Sequence, residues 1–286
     1  MNPGKTIIIA GSGRSGTTWL AEVIASCKGF RLFFEPFNNQ RSVRYPENDL
    51  LLYAYMRPDS HYPKVERFIC DVLKGKIRNR WIDSHNINLF TWRYVLKEIR
   101  IVLMLGWIKE KYGNKIVYTT RHPCATVLSR LKEKWTSPLN VIWSQQELVE
   151  DYLSPYESII RGAKTEIEKH AVMWCVENLI PLKQMGKYNY FFTTYEAMCI
   201  EPEKEIDRIF SYLRLRRTKR VTKAIQLTPE ARPHSAVITG EDKISFWKNR
   251  LSGDEIKSIM DIVNLFEIDI YSTEPMPHKF VNRSIN

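Results

Sequence analysis

The fold is decided by the stretch Ile7-Ile8-Ile9-Ala10-Gly11-Ser12-Gly13-Arg14-Ser15-Gly16-Thr17-Thr18. Its first four residues form an apolar run typical of a buried strand, and residues 19–25 have the pattern of a helix. A glycine-rich turn between a strand and a helix directs backbone N–H groups and the positive end of the helix dipole at an anion. We therefore predict a site here for a phosphate or sulfate group of a nucleotide.

Side chains in the same turn add donors for such an anion. Arg14 carries a permanent charge in a planar fork that suits tetrahedral oxyanions, and Ser15, Thr17 and Thr18 add hydroxyl groups. The glycines allow the backbone to curl closely around the ligand. The predicted nucleotide-binding residues of this turn are Gly13, Arg14, Ser15, Gly16, Thr17, Thr18 and Trp19.

The turn departs from the Walker phosphate loop, G-x-x-x-x-G-K-[ST], at one informative position. Gly11 and Gly16 have the Walker spacing, but Thr17 stands where that loop has its lysine. The cation lies three residues upstream, at Arg14. A phosphoryl transferase without the Walker lysine would be handicapped, so a P-loop kinase is only our second hypothesis.

A second candidate phosphate site follows the strand predicted over residues 115–120. Arg121-His122-Pro123 comes next, and Pro123 is well placed as the first residue of a helix. Ser129 lies eight residues after Arg121, on that helix. An arginine fork and a serine hydroxyl together can hold a second phosphate. Two phosphate sites on one parallel sheet would suit a ligand that is phosphorylated at two ends.

The two motifs resemble those of the sulfotransferases that use 3′-phosphoadenosine 5′-phosphosulfate (PAPS). That family's first motif, (Lys or Arg)-Ser-Gly-(Thr or Ser)-(Thr or Ser), matches residues 14–18, and its Arg-x-Pro motif with a following serine matches Arg121 and Ser129. The resemblance implies a central parallel sheet flanked by helices, of the P-loop type. It also implies metal-independent, in-line transfer of a sulfuryl group from PAPS to a hydroxyl or amine, leaving adenosine 3′,5′-bisphosphate (PAP). Arg14, Thr17 and Thr18 would then serve the 5′-phosphate and the leaving oxygen.

Two residues are candidates for the general base of such a reaction. Glu35 follows a predicted strand, 30–34, and its apolar neighbours would raise its pKa if they bury it. The tyrosylprotein sulfotransferases and some carbohydrate sulfotransferases have a glutamate at a similar place. His85 is the alternative, because soluble phenol and steroid sulfotransferases use a histidine, although their Lys-x-His pattern is missing here. We favour Glu35 and keep His85 open.

The carboxyl-terminal part offers a weaker resemblance. Soluble sulfotransferases close a basic loop containing glycine, lysine and tryptophan over the nucleotide, and residues 243–248 lie at a comparable place. The family's glycines are absent from this segment, yet Lys248 becomes a candidate nucleotide contact. A basic run nearby could touch an anion but is better explained as a solvated turn; it comprises Arg214, Arg216, Arg217, Lys219, Arg220 and Lys223.

Composition limits the classes of protein. The 286 residues carry a net charge of +11, which suits polyanionic ligands without selecting one. A nucleic-acid-binding protein is a third hypothesis, but its basic residues would be striped rather than dispersed. The five cysteines lack C-x-x-C spacing, which argues against a disulfide framework and a zinc site. No secretory signal precedes the first strand, and the most apolar later stretch, residues 101–108, is too short to cross a bilayer, so we predict a cytoplasmic protein without a transmembrane segment. The missing Walker lysine, and the lack of an Asp-rich strand end, favour chemistry without a metal.

Strands alternate with helices along the chain, which predicts one α/β domain over residues 1–286. We expect irregular insertions at 38–98 and 136–164, where the acceptor pocket would form. Residues 92–111 have a helical pattern, as do 164–185, 202–213 and the segment after Ser252. The acceptor, whether a carbohydrate, lipid, peptide or small-molecule hydroxyl, and the oligomeric state are not readable from the sequence.

Overall fold

Five parallel strands form one sheet in the computed structural model of the chain, which describes residues 2–38, 53–226 and 242–278. The strands are β1 (Ile7–Gly11), β2 (Phe30–Phe34), β3 (Arg93–Lys97), β4 (Ile116–Thr120) and β5 (Phe191–Thr194). They lie in the order β2-β3-β1-β4-β5. The predicted fold class, an α/β protein with a central parallel sheet, is confirmed.

Helices pack on both faces of this sheet, and the alternation of side chains along β1 shows why. Ile7 and Ile9 belong to one buried apolar cluster, and Ile8 and Ala10 belong to another. The helices are α1 (Thr17–Ala25), α2 (Pro63–Leu73), α3 (Leu105–Tyr112), α4 (Pro123–Lys132), α5 (Leu139–Trp143), α6 (Gln146–Leu148), α7 (Glu157–Gly162), α8 (Glu166–Tyr188), α9 (Tyr195–Ile200), α10 (Pro202–Leu213), α11 (Lys219–Gln226) and α12 (Gly253–Leu265). Clusters buried on both faces explain the continuous apolar run of β1.

The central strand β1 also fixes where a ligand can bind. It pairs with β3 on one side and β4 on the other, so the chain order reverses direction across it. Ligands of open α/β sheets bind at such a reversal, beyond the carboxyl ends of the strands. Both predicted phosphate motifs lie there, because the glycine turn follows β1 and Arg121 follows β4.

The prediction for residues 38–98 was partly wrong. This segment contains helix α2 and strand β3, and β3 is an interior strand of the sheet between β2 and β1. The helix predicted over 92–111 is instead β3, a short 3₁₀ turn (Val102–Met104) and α3. Charged residues at both ends of β3 hid the strand pattern, because Lys97 is buried by an ion pair that the sequence does not reveal. Residues 39–52, with Pro46, lie outside the described residues.

The later predictions agree better with the structure. Residues 136–164 contain short helical pieces: α5, α6, a π-helical turn (Val149–Leu153), a 3₁₀ turn (Ser154–Tyr156) and α7. The helix predicted over 202–213 is α10 with the same bounds. The helix predicted after Ser252 is α12, and it opens with a capping box in which Ser252 and Glu255 exchange side-chain to backbone hydrogen bonds.

Three further findings concern only the described part of the chain. It contains no helix that is long and apolar enough to cross a membrane. It contains no group of three histidine, cysteine or acidic side chains that could hold a metal ion. All five cysteines fall within it and all are free thiols: Cys27, Cys70, Cys124, Cys175 and Cys199.

Candidate active site

The glycine turn is packed tightly against β4 and α9. Gly16 has a φ of 83°, a left-handed conformation that favours glycine, and it is the N-cap residue of α1 without a side-chain cap. A Cβ on Gly16 would lie 2.9 Å from the ring of Tyr195, and one on Gly11 would lie 2.1 Å from the Thr119 carbonyl oxygen. The first turn of α1 leaves N–H groups without intrahelical acceptors, which is what an anion site needs.

Two of the predicted hydroxyl groups are mostly buried in the turn. The Ser15 hydroxyl donates to the Thr119 carbonyl oxygen at 3.1 Å, and the Thr119 hydroxyl donates back to the Ser15 carbonyl oxygen at 3.1 Å. The Ser15 side chain therefore fixes the turn to β4. Thr17 is buried as well, whereas Thr18 and Trp19 are half-buried at the start of α1.

Arg14 links the two predicted phosphate motifs. Its backbone has a φ of 79°, and its exposed side chain reaches helix α4. There its Nε donates to the Ser129 hydroxyl at 2.9 Å, and its Nη2 lies 3.4 Å from Glu133 Oε1. The structure therefore brings the cation of the first motif to the serine of the second.

Arg121 lies beneath the same turn. Its Nη1 donates to the Arg14 carbonyl oxygen at 3.4 Å, and its guanidinium carbon stands 4.1 Å from the centre of the Tyr195 ring. Its Nη2 donates to the Lys243 carbonyl oxygen at 3.2 Å, while its buried Nε makes no hydrogen bond. Within the described residues, no carboxylate forms an ion pair with this guanidinium. The carbonyl and aromatic contacts leave a cation that is only partly satisfied, next to the glycine turn.

Glu35 lies in a different electrostatic environment from the one that its sequence predicts. It is buried after β2, with a φ of 44°, and it forms ion pairs with Lys97 and with Arg100, whose Nη1 lies 3.1 Å from Oε2. Burial acts to raise its pKa, but Lys97 and Arg100 together outweigh burial and hold the pKa below its usual value. The expected rise was wrong, because both cations come from residues distant in sequence.

Glu98 is a residue of this region that the sequence analysis missed. Its fully buried carboxylate accepts hydrogen bonds from the backbone N–H groups of Phe37, Ile99 and Arg100 at 2.8 to 3.1 Å. Burial raises its pKa. Glu98 thus holds the backbone that follows β2 and β3. The only sign of its role in the sequence was that two charged residues, Lys97 and Glu98, directly follow the apolar pair Val95-Leu96.

His85, the alternative base, lies against the ring of Phe34. Its ring centre is 4.1 Å from that of Phe34, the residue that precedes Glu35. Its Nδ1 lies 2.6 Å from Glu22 Oε1, on the helix that begins at the glycine turn. The structure therefore brings both candidate bases to the β2 end of the same edge.

Arg130 and Trp135 contact the glycine turn at Gly13, and neither residue was predicted from the sequence. Arg130 Nη2 donates to the Gly13 carbonyl oxygen at 3.4 Å and pairs with the fully buried Glu177. The Trp135 ring would contact a Cβ on Gly13 at 2.7 Å. Burial raises the pKa of Glu177. A lone acidic residue within the apolar face of α8 was the available signal.

The carboxyl-terminal candidate lies beside the second motif. Trp247 stacks on His122 with ring centres 4.2 Å apart, and burial lowers the pKa of His122 to about 3. Lys248 follows Trp247, and its Nζ lies 3.1 Å from Glu274 Oε2 at the surface. Lys248 is therefore close to the Arg121 motif and is held by an exposed carboxylate.

The chain is similar to several solved sulfotransferase structures, and the first one below shares its fold. Sulfotransferase STF9 from Mycobacterium avium matches with a TM-score of 0.50 and 12% identity, over 98% of this chain and 79% of that one. The sulfotransferase domain of the Synechococcus PCC 7002 olefin synthase gives 0.49 and 15%, over 94% and 97%. Mouse sulfotransferase SULT7A1, solved in complex with PAP, gives 0.48 and 15%, over 93% and 84%.

Sequence comparisons complete this picture. No match was found among curated proteins. The profile described as "Sulfotransferase family" matches residues 6–219, a span that contains the glycine turn, all five strands and the Arg121 motif. The resemblance noted from the two motifs is confirmed, and the chain belongs to the sulfotransferase family.

Proposed function

We propose that this sulfotransferase moves a sulfuryl group from PAPS to a hydroxyl (or amine) acceptor by metal-independent, in-line transfer. One observation carries the proposal. The Arg121 guanidinium lies 3.4 Å from the Arg14 carbonyl oxygen, and the Arg14 side chain bonds to Ser129 at 2.9 Å. One adenosine phosphorylated at both ends can therefore reach both motifs.

The first motif serves the 5′ end of the nucleotide. Arg14, Thr17 and Thr18, with the N–H groups at the start of α1, bind the 5′-phosphate and the sulfuryl oxygens. As the bond between sulfur and the bridging oxygen breaks, the electron pair passes to the 5′-phosphate, and these donors stabilise the developing charge. Gly13, Ser15, Gly16 and Trp19 shape the turn around that group.

The second motif serves the 3′-phosphate. Arg121 supplies the fork and Ser129 the hydroxyl, and the partly unsatisfied guanidinium supports this role. Lys248 is an additional contact, supported by the position of Trp247 against the motif. PAP remains in the site after transfer.

Glu35 is the proposed general base, and His85 is the alternative. The acceptor hydroxyl loses its proton to the Glu35 carboxylate while its oxygen forms the new bond to sulfur. Lys97 and Arg100 keep Glu35 ionised, so it is ready to accept a proton at neutral pH. They also weaken it as a base, and acceptor binding that displaces Arg100 would restore basicity.

The phosphoryl-transfer hypothesis is not favoured. The family match and Thr17 at the Walker lysine position both favour sulfuryl transfer. Sulfuryl transfer by these residues requires no metal. The free thiols support a reducing, cytoplasmic setting. The acceptor is a hydroxyl-bearing carbohydrate, lipid or small molecule, selected by the segments 38–98 and 136–164.

The decisive experiment uses labelled PAPS with a panel of acceptor classes, with and without EDTA. We expect transfer to at least one alcohol and tight, metal-independent binding of PAP by calorimetry. Magnesium-dependent consumption of ATP with no affinity for PAP would instead establish the kinase hypothesis. Salt-sensitive binding to random DNA duplexes, unaffected by PAP, would establish the nucleic-acid hypothesis.

A further inference from the structure

An exposed apolar tip lies at the amino ends of β2 and β3, opposite the glycine turn. Leu89 is 96% exposed, Phe90 is 82% exposed and Ile87 is 69% exposed, and Trp92 beside them is 53% exposed. Large apolar side chains grouped on the surface are uncommon in soluble monomeric proteins, and such patches mark interaction sites. We call Ile87, Leu89, Phe90 and Trp92 the apolar tip.

Hydrogen bonds hold the tip in place at the amino edge of the sheet. The Asn88 side chain donates to the carbonyl oxygens of Ala25, Cys27 and Phe30 at 2.9 to 3.1 Å. The backbone N–H of Trp92 donates to the Gly29 carbonyl oxygen at 2.8 Å. Residues on both sides of the tip are therefore anchored, although its apolar side chains point outward. The glycine turn and Arg121 lie at the opposite, carboxyl edge.

Cations surround the tip. Arg220, on α11, donates from Nη1 to Asn88 Oδ1 at 3.4 Å, and Lys28 and Arg93 are exposed next to Gly29 and Trp92. The basic run identified in the sequence, from Arg214 to Lys223, contains no acidic residue. Residues 84–93 contain none either. Arg217 of that run is already paired with Glu203 and Asp207. The cations beside the tip are therefore Arg220, Lys28 and Arg93, which come from three segments distant in sequence.

We propose that this surface docks on an anionic lipid bilayer. Apolar side chains that are 53 to 96% exposed can be covered by a deformable apolar partner, and the acyl region of a bilayer receives them without a complementary groove. The cations would lie at the headgroup level, where each one near an anionic surface favours binding. Apolar side chains inserted at the headgroup boundary and basic residues around them are the two features of interfacial binding.

Docking by this edge leaves the carboxyl edge of the sheet exposed to solvent. Nucleotide binding and transfer to a water-soluble acceptor would then continue on the membrane. The proposal does not depend on PAPS being the donor, because vesicle binding is measured without any nucleotide.

Co-sedimentation with vesicles tests the proposal. The full chain is mixed with vesicles of phosphatidylcholine alone or of equimolar phosphatidylcholine and phosphatidylglycerol. We expect strong binding to the anionic vesicles, weaker binding to the neutral ones, and loss of binding as salt rises. Leu89→Ser and Phe90→Ser should each reduce the partition coefficient about tenfold. Arg220→Ala should reduce it about fivefold.

Matched variants control for exposed apolar residues elsewhere. Leu265 and Ile200 are 58% and 53% exposed and lie on other parts of the fold, so Leu265→Ser and Ile200→Ser should leave partition unchanged. Lipids with brominated acyl chains should quench a tryptophan signal that Trp92→Phe removes.

Three results would overturn the proposal. The first is no binding to the anionic vesicles, and the second is binding that Leu89→Ser with Phe90→Ser does not weaken. The third is concentration-dependent self-association in lipid-free solution, abolished by the same pair of substitutions and competing with vesicles. That last result would make the tip an interface between two copies of the chain.

Discussion

The two halves of the carboxyl edge treat charge in opposite ways. In the β4 half, Arg121 contacts backbone carbonyl oxygens and aromatic rings, and the described residues provide it with no ion-paired carboxylate. In the β2 half, Glu35 and Glu98 are paired with Lys97 and Arg100. In the first half the Arg121 guanidinium has no ion-paired carboxylate among the described residues, whereas in the second half each of these four charged groups has an ionic partner.

This difference separates two tasks. Burying a cation without a counter-ion costs free energy, so the β4 half is suited to an anionic ligand that arrives with the missing charge. The β2 half is electrostatically complete before any ligand binds, which suits a proton acceptor whose state is set by the protein. Substitutions in the first half should therefore change nucleotide binding and the leaving group. Those in the second should change proton transfer and stability.

Arg14→Ala should have the largest effect. It removes the cation closest to the 5′ end, and we expect kcat for sulfuryl transfer to fall about a thousandfold, because the developing charge loses its strongest donor. Single-turnover kinetics with labelled PAPS measures this loss. Glu133→Ala is the control, because it removes the exposed carboxylate that pairs with Arg14 and leaves the Arg14 cation in place. Near-normal turnover by Arg14→Ala would show that Arg14 does not stabilise the leaving group.

Glu35→Gln should lower kcat by about a few hundredfold while the dissociation constant of PAP changes little. Because Lys97 and Arg100 hold the Glu35 pKa below its usual value, activity of the wild type should fall only at acidic pH, below the ordinary carboxyl range. An acid limb close to neutrality is the signature of a histidine base. If His85→Ala abolishes turnover and Glu35→Gln does not, the base is His85.

Lys97→Met tests whether the β2 half is a preformed charge cluster. Removing one partner of a buried ion pair should cost about 3 kcal/mol in the free energy of unfolding at neutral pH. Burial, opposed by Arg100 alone, should then raise the Glu35 pKa. Ionised Glu35 stabilises the folded state above the carboxyl pKa of the unfolded chain, and this stabilisation is lost as pH falls from that pKa to the lower pKa of the folded state. Because the Glu35 pKa of the folded variant is higher than that of the wild type, the variant should have less of this stabilisation to lose.

Thermal unfolding across acidic pH, with the pH profile of kcat, checks this prediction. In Lys97→Met the acid limb of kcat should move to higher pH, and the free energy of unfolding should depend less on pH across the acidic range. Lys257→Met is a matched control, because Lys257 forms an exposed pair with Asp261. Identical profiles for wild type and Lys97→Met would show that Lys97 does not set the state of Glu35.

Arg121→Ala should weaken PAP binding about thirtyfold, the value of a charge-assisted bond to the 3′-phosphate. Affinity for adenosine 5′-monophosphate, which lacks that phosphate, should hardly change. Calorimetry with both nucleotides therefore separates a 3′-phosphate role from general damage to the site. Equal losses for the two nucleotides would contradict the assignment of Arg121.

Local patterns made much of this fold and site predictable. The strands β1, β2, β4 and β5 follow from short apolar runs, and the glycine turn and Arg121 motif follow from residues that are neighbours in sequence. Strand β3 was missed because a lysine such as Lys97 is expected to face solvent and not to lie in a buried strand. It is buried only because Glu35, 62 residues away, neutralises it.

The same reason explains the missed site residues. The Glu98 carboxylate accepts a hydrogen bond from the backbone N–H of Phe37, and Arg130 forms an ion pair with Glu177 of a different helix. Neither has a spacing that marks it, since each depends on a tertiary partner. The pKa of Glu35 was predicted in the wrong direction because sequence neighbours report apolar burial and not the distant cations.

Lys248→Ala should have the smallest effect. Lys248 follows Trp247, whose ring stacks on His122 beside Arg121, yet Glu274 already holds its ammonium group at the surface. A contact made by an exposed and partly neutralised lysine contributes little, so PAP affinity should fall about threefold. Glu274→Gln is the informative partner, because it releases Lys248 and should strengthen PAP binding if Lys248 reaches the nucleotide. If neither substitution changes the affinity for PAP, Lys248 does not contact the nucleotide, and Arg121 is the last cation of the second motif that does.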